Sequence, residues 1–374
     1  MKSNAVTMKE RDKKILIFTN NSGGLYDFRR ELLTELLVDG NEVKVYTPLE
    51  KKVTELKKLG VELNETTMSR RGMNPLKDFS LFWCYRKILK SEKPDMVITY
   101  TIKPNIYGGF ACRLAGIPYA INVTGLGTAF QKEGLLKKLI VFLYRLSCKR
   151  AKVIFFENEA NRQLFVEMKI ARESQTCRLN GAGVNLAHFT FQEYPVHDKY
   201  VFLFIGRIMK EKGIDELLEA MKRIIADGFC AELHVLGSFE EEYGEKVEKY
   251  SKEGWLVYYG YQNDVRPFIA EADCFVLPSW HEGMANTNLE CAASGRPVIT
   301  SNIPGCREAV LEGKSGFLAE KKNSEDLYRV MKRFAEMSIE ERKEMGLCGR
   351  KHMEEIFDKK KVVEETVKRL FQEK

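Results

Sequence analysis

The sequence predicts an α/β protein of two Rossmann-like, doubly wound domains with an interdomain cleft. Three observations carry this reading. Short apolar runs alternate with segments of helical periodicity from residue 14 onward. The alternation breaks once, at the polar, Pro-containing stretch Phe191 to Lys199, and then restarts. The chain of 374 residues is also long for a single hydrophobic core. The expected division is an N-terminal Rossmann-like domain over 1–192, a C-terminal one over 193–355, and a helix over 356–374 that packs back on the N-terminal domain.

The elements follow in order. Lys14 to Thr19 is an apolar run that reads as the first strand, and Ser22-Gly23-Gly24 reads as a turn after it. Leu25, Phe28, Leu32, Leu33, Leu36 and Leu37 recur at helical spacing, and Gly40 sits where a C-cap belongs. Val43 to Thr47 is the next strand, followed by strands near 95–100, 119–124 and 152–157. The second half repeats the plan with Tyr200 to Ile205 and with runs at 231–236, 255–259, 273–277, 297–301 and 316–319. From Ser338 the tail reads as helical, with Ile356, Val362, Val363, Val367, Leu370 and Phe371 as its apolar positions. In such open sheets ligands sit outside the carboxyl ends of the strands.

Bulk composition narrows the function. Hydrophobic residues make up 44% and charged residues 30%, an ordinary globular balance. The nine cysteines are scattered without CxxC spacing, the five histidines form no H-x-x-x-H pair, and Asp-x-Asp is absent. No metal and no cofactor is therefore expected, and a reduced, cytoplasmic chain fits. The polar segment Met1 to Lys14 has no apolar core of the signal-peptide kind, and the run Leu139 to Tyr144 is too short to span a bilayer. The net charge of +7 suits phosphates or anionic lipid. Nucleic acid is not an expected partner, since no recognised motif and no interleaved basic-aromatic patch is present.

Two segments carry the chemistry. Residues 278–295 follow the strand Asp273 to Leu277, turn at Gly283 and enter a helix, with Glu282 in the loop and Glu290 in the helix. Strand, glycine turn and helix start present free N–H groups to an anion. Carboxylates beside them accept hydrogen bonds from hydroxyls, and Asn286 and Glu290 share a helix face at i, i+4. A ligand with phosphates in the middle and hydroxyls at both ends, such as a nucleotide sugar, matches this layout. The second segment, Gly206-Arg207-Ile208-Met209-Lys210-Glu211-Lys212-Gly213, puts three cations between a strand and a helix starting near Ile214. Arg and Lys suit a diphosphate, and glycines allow close approach to the backbone. A solvated basic turn has the same composition.

Together these residues resemble the family 4 retaining glycosyltransferases of the GT-B fold. The resemblance rests on E-x7-E at Glu282 and Glu290, on the loop 206–213, and on Gly295-Arg-Pro-Val-Ile-Thr and Pro304-Gly-Cys-Arg-Glu-Ala in order. It implies that Arg207 and Lys212 hold the donor diphosphate and that Met284, Ala285 and Asn286 offer it backbone N–H groups. It implies ribose binding by Glu290, orientation of the donor sugar by Glu282, and no metal. Gly23-Gly24 resembles the glycine pair at which donor and acceptor meet in this family. The stretches Thr101-Ile-Lys-Pro-Asn105 and Asn122-Val-Thr-Gly125 look like those of enzymes that glycosylate polyprenyl-diphosphate-linked sugars. Lys103, Asn105 and Thr124 would then meet the acceptor. Thr124 stands where many members carry His, and a hydroxyl is a poor general base. Arg70, in a loop, would meet an acceptor phosphate or stay solvated.

Residues 134–152 combine Lys137, Lys138, Arg145, Lys149 and Arg150 with Leu139, Ile140, Phe142, Leu143 and Leu146. This basic amphipathic pattern fits a helix on an anionic membrane surface, and equally a helix packed on a sheet. The implied function is transfer of a hexose or N-acetylhexosamine from a UDP-sugar to a hydroxyl of a lipid-diphosphate-linked glycan. The enzyme would be cytoplasmic or peripheral on the membrane, and would serve surface polysaccharide assembly. A nucleotide-sugar epimerase or sugar phosphorylase on the same fold, or a non-catalytic nucleotide-sugar-binding protein, are the alternatives.

Overall fold

A computed structural model describes residues 12–66, 75–127, 130 and 134–372. The chain forms two compact units. The first holds the chain to Phe156 with Asn161–Leu179 and the chain from Val363; the second holds Glu157–Ala160 and Asn180–Val362. Residues 180–192, assigned above to the first half, thus cluster with the second.

The first unit is built on strands β1 (Lys14–Phe18), β2 (Glu42–Thr47), β3 (Glu62–Glu65), β4 (Met96–Tyr100), β5 (Tyr119–Val123), β6 (Val153–Phe156) and β7 (Thr176–Arg178). They pair in parallel in the order β3-β2-β1-β4-β5-β6-β7. The crossovers are α1 (Ser22–Val38), α2 (Val53–Lys58), α3 (Pro75–Glu92), α4 (Gly109–Ala115), α5 (Leu135–Cys148) and α6 (Glu159–Glu167), with a π-helical turn at Pro104–Gly108 before α4. β4 and β5 are buried at every residue, because helices cover both faces of a parallel sheet. Leu16, Phe18, Val97, Ile121 and Ile154 form its core with Tyr85, Tyr144 and Phe165.

The second unit repeats the plan with β8 (Tyr200–Ile205), α7 (Ile214–Ala226), β9 (Ala231–Leu236), α8 (Gly244–Lys252), β10 (Leu256–Gly260), α9 (Arg266–Glu271), β11 (Cys274–Leu277), α10 (Asn286–Ala293), β12 (Val298–Ser301) and β13 (Gly316–Ala319). Its parallel order is β10-β9-β8-β11-β12-β13. α11 (Ser324–Ala335) and α12 (Ile339–Ile356) follow, and α13 (Lys359–Phe371) ends the described chain. Both sheets reverse direction of build beside their first strand, the switch point where α/β proteins bind ligands.

Several elements differ from expectation. Ser22-Gly23-Gly24 is the first turn of α1 and not a loop, because the Asn21 side chain caps the helix by accepting the Gly24 N–H at 3.0 Å. β3 and β7 lack an apolar run and were not foreseen; both are short edge strands. The helical tail breaks at Phe357 and Asp358. There the Phe357 carbonyl accepts the Val184 N–H at 2.8 Å, and the Lys359 N–H reaches the Val184 carbonyl at 3.1 Å. The C-terminal part of α13 belongs to the first unit, where Lys13 Nζ lies 4.6 Å from the Phe371 ring centre.

The segment around residues 191–199 is tied down by Arg296, whose side chain is fully buried. Its guanidinium donates to the carbonyls of Gln192 (3.0 Å), Glu193 (2.8 Å), Ile269 (2.9 Å) and Ala270 (2.7 Å). A buried cation is tolerable only with its donors satisfied, and here backbone oxygens satisfy them.

Candidate active site

The two chemistry-bearing segments meet at the switch point of the second unit, in the loops after the adjacent strands β8 and β11. After β8 the chain runs through Gly206 and the exposed Arg207 into a short 3-10 turn, Lys210–Lys212. Gly213 then takes a positive φ of 73°. A Cβ at Gly213 would fall 2.1 Å from the Pro278 carbonyl oxygen, so a glycine is required to bring the two loops together. A Cβ at Gly206 would lie 3.4 Å from its nearest neighbour, the Phe204 ring, which is an ordinary contact. Packing within the chain does not demand that glycine.

The loops are stitched at several points. The Trp280 N–H donates to the Glu211 carbonyl at 2.9 Å, and its indole N–H to Glu216 Oε1 at 3.0 Å. His281 Nε2 lies 3.3 Å from Glu211 Oε2. Burial pushes the His281 imidazole below its ordinary pKa, against the pull of Glu211 and Glu282. Lys212 Nζ is ion-paired with Glu282 Oε1, and the buried Ser279 hydroxyl donates to the same oxygen at 2.8 Å. Lys212 and Glu282 therefore enter the site as one unit, with side chains 19% and 13% exposed. Arg207 stands apart: its side chain makes no hydrogen bond or ion pair among the described residues.

The turn from Glu282 to Asn286 is shaped by its neighbours. Asn158 donates to the Gly283 carbonyl at 2.6 Å, and Met284 is buried. Gly305, at φ 87°, lies so close that a Cβ there would be 2.6 Å from the Gly283 carbonyl oxygen. The Ala285 N–H already donates to the Gly305 carbonyl at 2.7 Å. This corrects the expectation that Ala285 offers an amide to a ligand. α10 starts at Asn286 with no side chain capping it, which leaves the amides of Asn286 and Thr287 at its first turn. Asn286 Oδ1 is buried with no partner among the described residues. Glu290 follows one turn along, half-buried. Sequence reasoning missed Ser279, Glu211 and His281. Only Ser279, three residues before Glu282, left a local signal.

In the first unit the expected acceptor residues are less available. Lys103 Nζ is 2.8 Å from Asp78 Oδ1, and both side chains are buried or nearly so. Asn105 is 1% exposed: its Oδ1 accepts from Thr99 Oγ1 at 2.7 Å and its Nδ2 donates to the Asn122 carbonyl at 2.8 Å. Asn105 is thus a core residue, which corrects its assignment as an acceptor ligand. Thr124 is partly exposed at the carboxyl end of β5. Gly23 and Gly24 lie in the first turn of α1, after β1. Arg70 lies outside the described residues.

Among the described residues no group of three or more His, Cys, Asp or Glu side chains is placed to hold a metal ion. No helix among them is long and apolar enough to cross a membrane.

Comparison with known proteins fits this geometry. Residues 199–337 match the family model of glycosyl transferases group 1, and residues 14–158 match the glycosyl transferase 4-like family. The chain belongs to the group 1, 4-like glycosyltransferases. Among curated relatives, it is 28% identical to the N,N'-diacetylbacillosaminyl-diphospho-undecaprenol alpha-1,3-N-acetylgalactosaminyltransferase of Campylobacter jejuni, over 83% of this chain and 86% of that one. It is 27% identical to the capsular polysaccharide biosynthesis glycosyltransferase CapM of Staphylococcus aureus, over 82% and 86%. A third relative is the UDP-Gal:alpha-D-GlcNAc-diphosphoundecaprenol alpha-1,3-galactosyltransferase of Escherichia coli, at 28% over 67% and 68%. The glycosyltransferase also shares its fold with solved structures. A Rickettsia africae glycosyltransferase superposes with a TM-score of 0.79 at 18% identity, covering 97% of this chain and 100% of that one. Anabaena HepE, solved with UDP and glucose, gives 0.80 at 16%, covering 96% and 99%. These are GT-B glycosyltransferase structures, and the fold is theirs.

Proposed function

We propose that this glycosyltransferase moves a hexose or N-acetylhexosamine from a UDP-sugar to a hydroxyl of a polyprenyl-diphosphate-linked glycan, with retention at the anomeric carbon and without a metal. The observation that carries the reading is the meeting, at the β8/β11 switch point, of Lys212, Glu282 and the uncapped start of α10. Cations and helix amides of this kind neutralise a leaving diphosphate. The relatives' names supply the donor and acceptor classes: one acts with UDP-galactose, and two act on sugars linked to undecaprenyl diphosphate.

In the reaction the bond from the anomeric carbon to the diphosphate oxygen breaks, and the acceptor oxygen bonds to the same face. The acceptor proton passes to the departing diphosphate. Arg207 and Lys212 stabilise the charge that develops there. Diphosphate binding draws Lys212 from Glu282 Oε1, freeing that carboxylate to accept from a sugar hydroxyl, with Ser279 holding it in place. Glu290 and the Asn286 side chain take the ribose end. A lipid-linked acceptor would keep the enzyme peripheral at the cytoplasmic membrane face, in surface polysaccharide assembly.

The test is a panel of UDP-sugars incubated with EDTA, with and without a lipid-diphosphate-linked sugar. Acceptor-dependent release of UDP, with a new glycosidic linkage of unchanged anomeric configuration, is the expected result. Conversion of donor without acceptor would assign an epimerase, and nucleotide binding without turnover would assign a binding protein.

A further inference from the structure

A groove of about 650 Å³ lies on the first unit, lined by residues that belong to none of the motifs used above. Trp83, Arg86, Lys87, Lys90, Lys93 and Pro94 line it. None of its four cations forms an ion pair among the described residues. The nearby carboxylate on α3, Glu92, does not neutralise them. It is engaged by Lys14 Nζ (3.2 Å), Lys44 Nζ (3.2 Å) and Tyr46 Oη (3.1 Å). The carbonyl end of α3 complements Lys90 and Lys93, but Arg86 and Lys87 lie more than a turn before that end. Four like charges facing one concavity repel one another unless an anion sits among them.

The groove also lies at the wrong end of the sheet for the substrates. Pro94 precedes β4, and Ile117, another wall residue, precedes β5. The groove is thus at the amino ends of the strands, whereas ligands of open α/β sheets sit at the carboxyl ends.

The helices of this face carry exposed apolar side chains. α3, α4 and α5 pack side by side on one face of the sheet. Of sixteen exposed large hydrophobic side chains among the described residues, seven are on these three helices, against Val38 alone on α1 and α2. Phe79 and Trp83 form a stripe on α3 at i, i+4, while Leu135, Leu139 and Phe142 form one on α5 at i, i+4, i+7. Leu114 of α4 is also exposed. From residue 134 to 156 the chain has six Lys and Arg and no Asp or Glu. A protein partner matched by charge would need an acidic surface with its own apolar ridge. An anionic bilayer offers both at once, phosphates above and acyl chains below.

We propose that the α3–α4–α5 face docks on an anionic phospholipid surface, its exposed Leu, Phe and Trp side chains entering the interface and its groove taking a headgroup phosphate. The purpose of docking rests on the reading of a lipid-linked acceptor, but the contact itself does not. The full chain is floated with vesicles of phosphatidylglycerol or of phosphatidylcholine at low salt, alongside Lys87→Glu/Lys90→Glu and Leu139→Ser/Phe142→Ser. Circular dichroism and thermal melting establish that each variant is folded.

The wild type should bind phosphatidylglycerol at least about tenfold more tightly than phosphatidylcholine. Each double variant should lose about tenfold or more of that binding, and all should bind UDP equally. Absence of binding to phosphatidylglycerol, or equal binding by wild type and both folded variants, overturns the proposal. So does inorganic phosphate that raises the melting temperature of the wild type but not of Lys87→Glu/Lys90→Glu, when neither binds vesicles; the groove then takes free phosphate. If vesicle binding holds while UDP-sugar transfer fails, the proposed reaction falls and the docking surface stands.

Discussion

Lys212 and Glu282 hold each other in place, and this pairing decides what a substitution at either should do. Lys212→Ala removes one stabiliser of the departing diphosphate and should lower kcat by ~10²-fold or more in a steady-state transfer assay. Near-normal kcat would refute the phosphate role. Ser279→Ala removes a hydrogen bond to the Glu282 carboxylate worth about 1.5 kcal/mol, so kcat should fall roughly tenfold with the KM for donor little changed. The opposite split would make Ser279 a binding group. Lys103 illustrates the other case. Its position at the mouth of β4 suggests a residue facing an acceptor, but its partner Asp78 lies 25 residues earlier, a pairing no local pattern reveals. Lys103→Ala should leave the buried Asp78 carboxylate without its cation, held among the described residues only by the Tyr107 hydroxyl, and lower stability by about 3 kcal/mol, read from the urea midpoint. An unchanged midpoint with a raised KM for acceptor would restore the ligand reading.

Among elements, the interior strands were legible, as were the edge strands β10 and β13 of the second sheet, but the edge strands β3 and β7 of the first were not. β1, β4, β8 and β11 announce themselves as apolar runs because both their faces are buried. β3, with the sequence Glu-Leu-Asn-Glu, and β7, with Thr-Cys-Arg, lie at the rim and carry no such signal. α7 is legible from Ile214 and α10 from the turn at Gly283, because a glycine marks the turn before each. The start of α1 is harder to place because its cap is Asn21, one residue before the segment that holds the glycine pair. Arg296 shows how a motif residue can serve an element and not a ligand. Its guanidinium joins residues 192–193 to the end of α9 through four carbonyls. Arg296→Met should cost about 3–5 kcal/mol, seen as a lower thermal midpoint, while UDP affinity at a temperature where the variant is folded stays within about threefold. A stable Arg296→Met with lost UDP binding would move Arg296 into the site.

At the scale of the molecule, each unit has its own parallel sheet and its own core. The meeting of the candidate donor loops 206–213 and 279–290 was legible because they follow strands that are neighbours in one sheet. The acceptor side was not, because its expected residues depend on contacts distant in sequence. The central claim is that the second unit holds a nucleotide diphosphate at the β8/β11 switch point by side chains and helix amides. Hydrogen exchange of the full chain with saturating UDP in the presence of EDTA tests it most directly. Slower exchange confined chiefly to residues 206–213 and 279–290, and lost in Lys212→Ala, is the predicted result; protection that is absent, lies elsewhere, or persists unchanged in Lys212→Ala would contradict it.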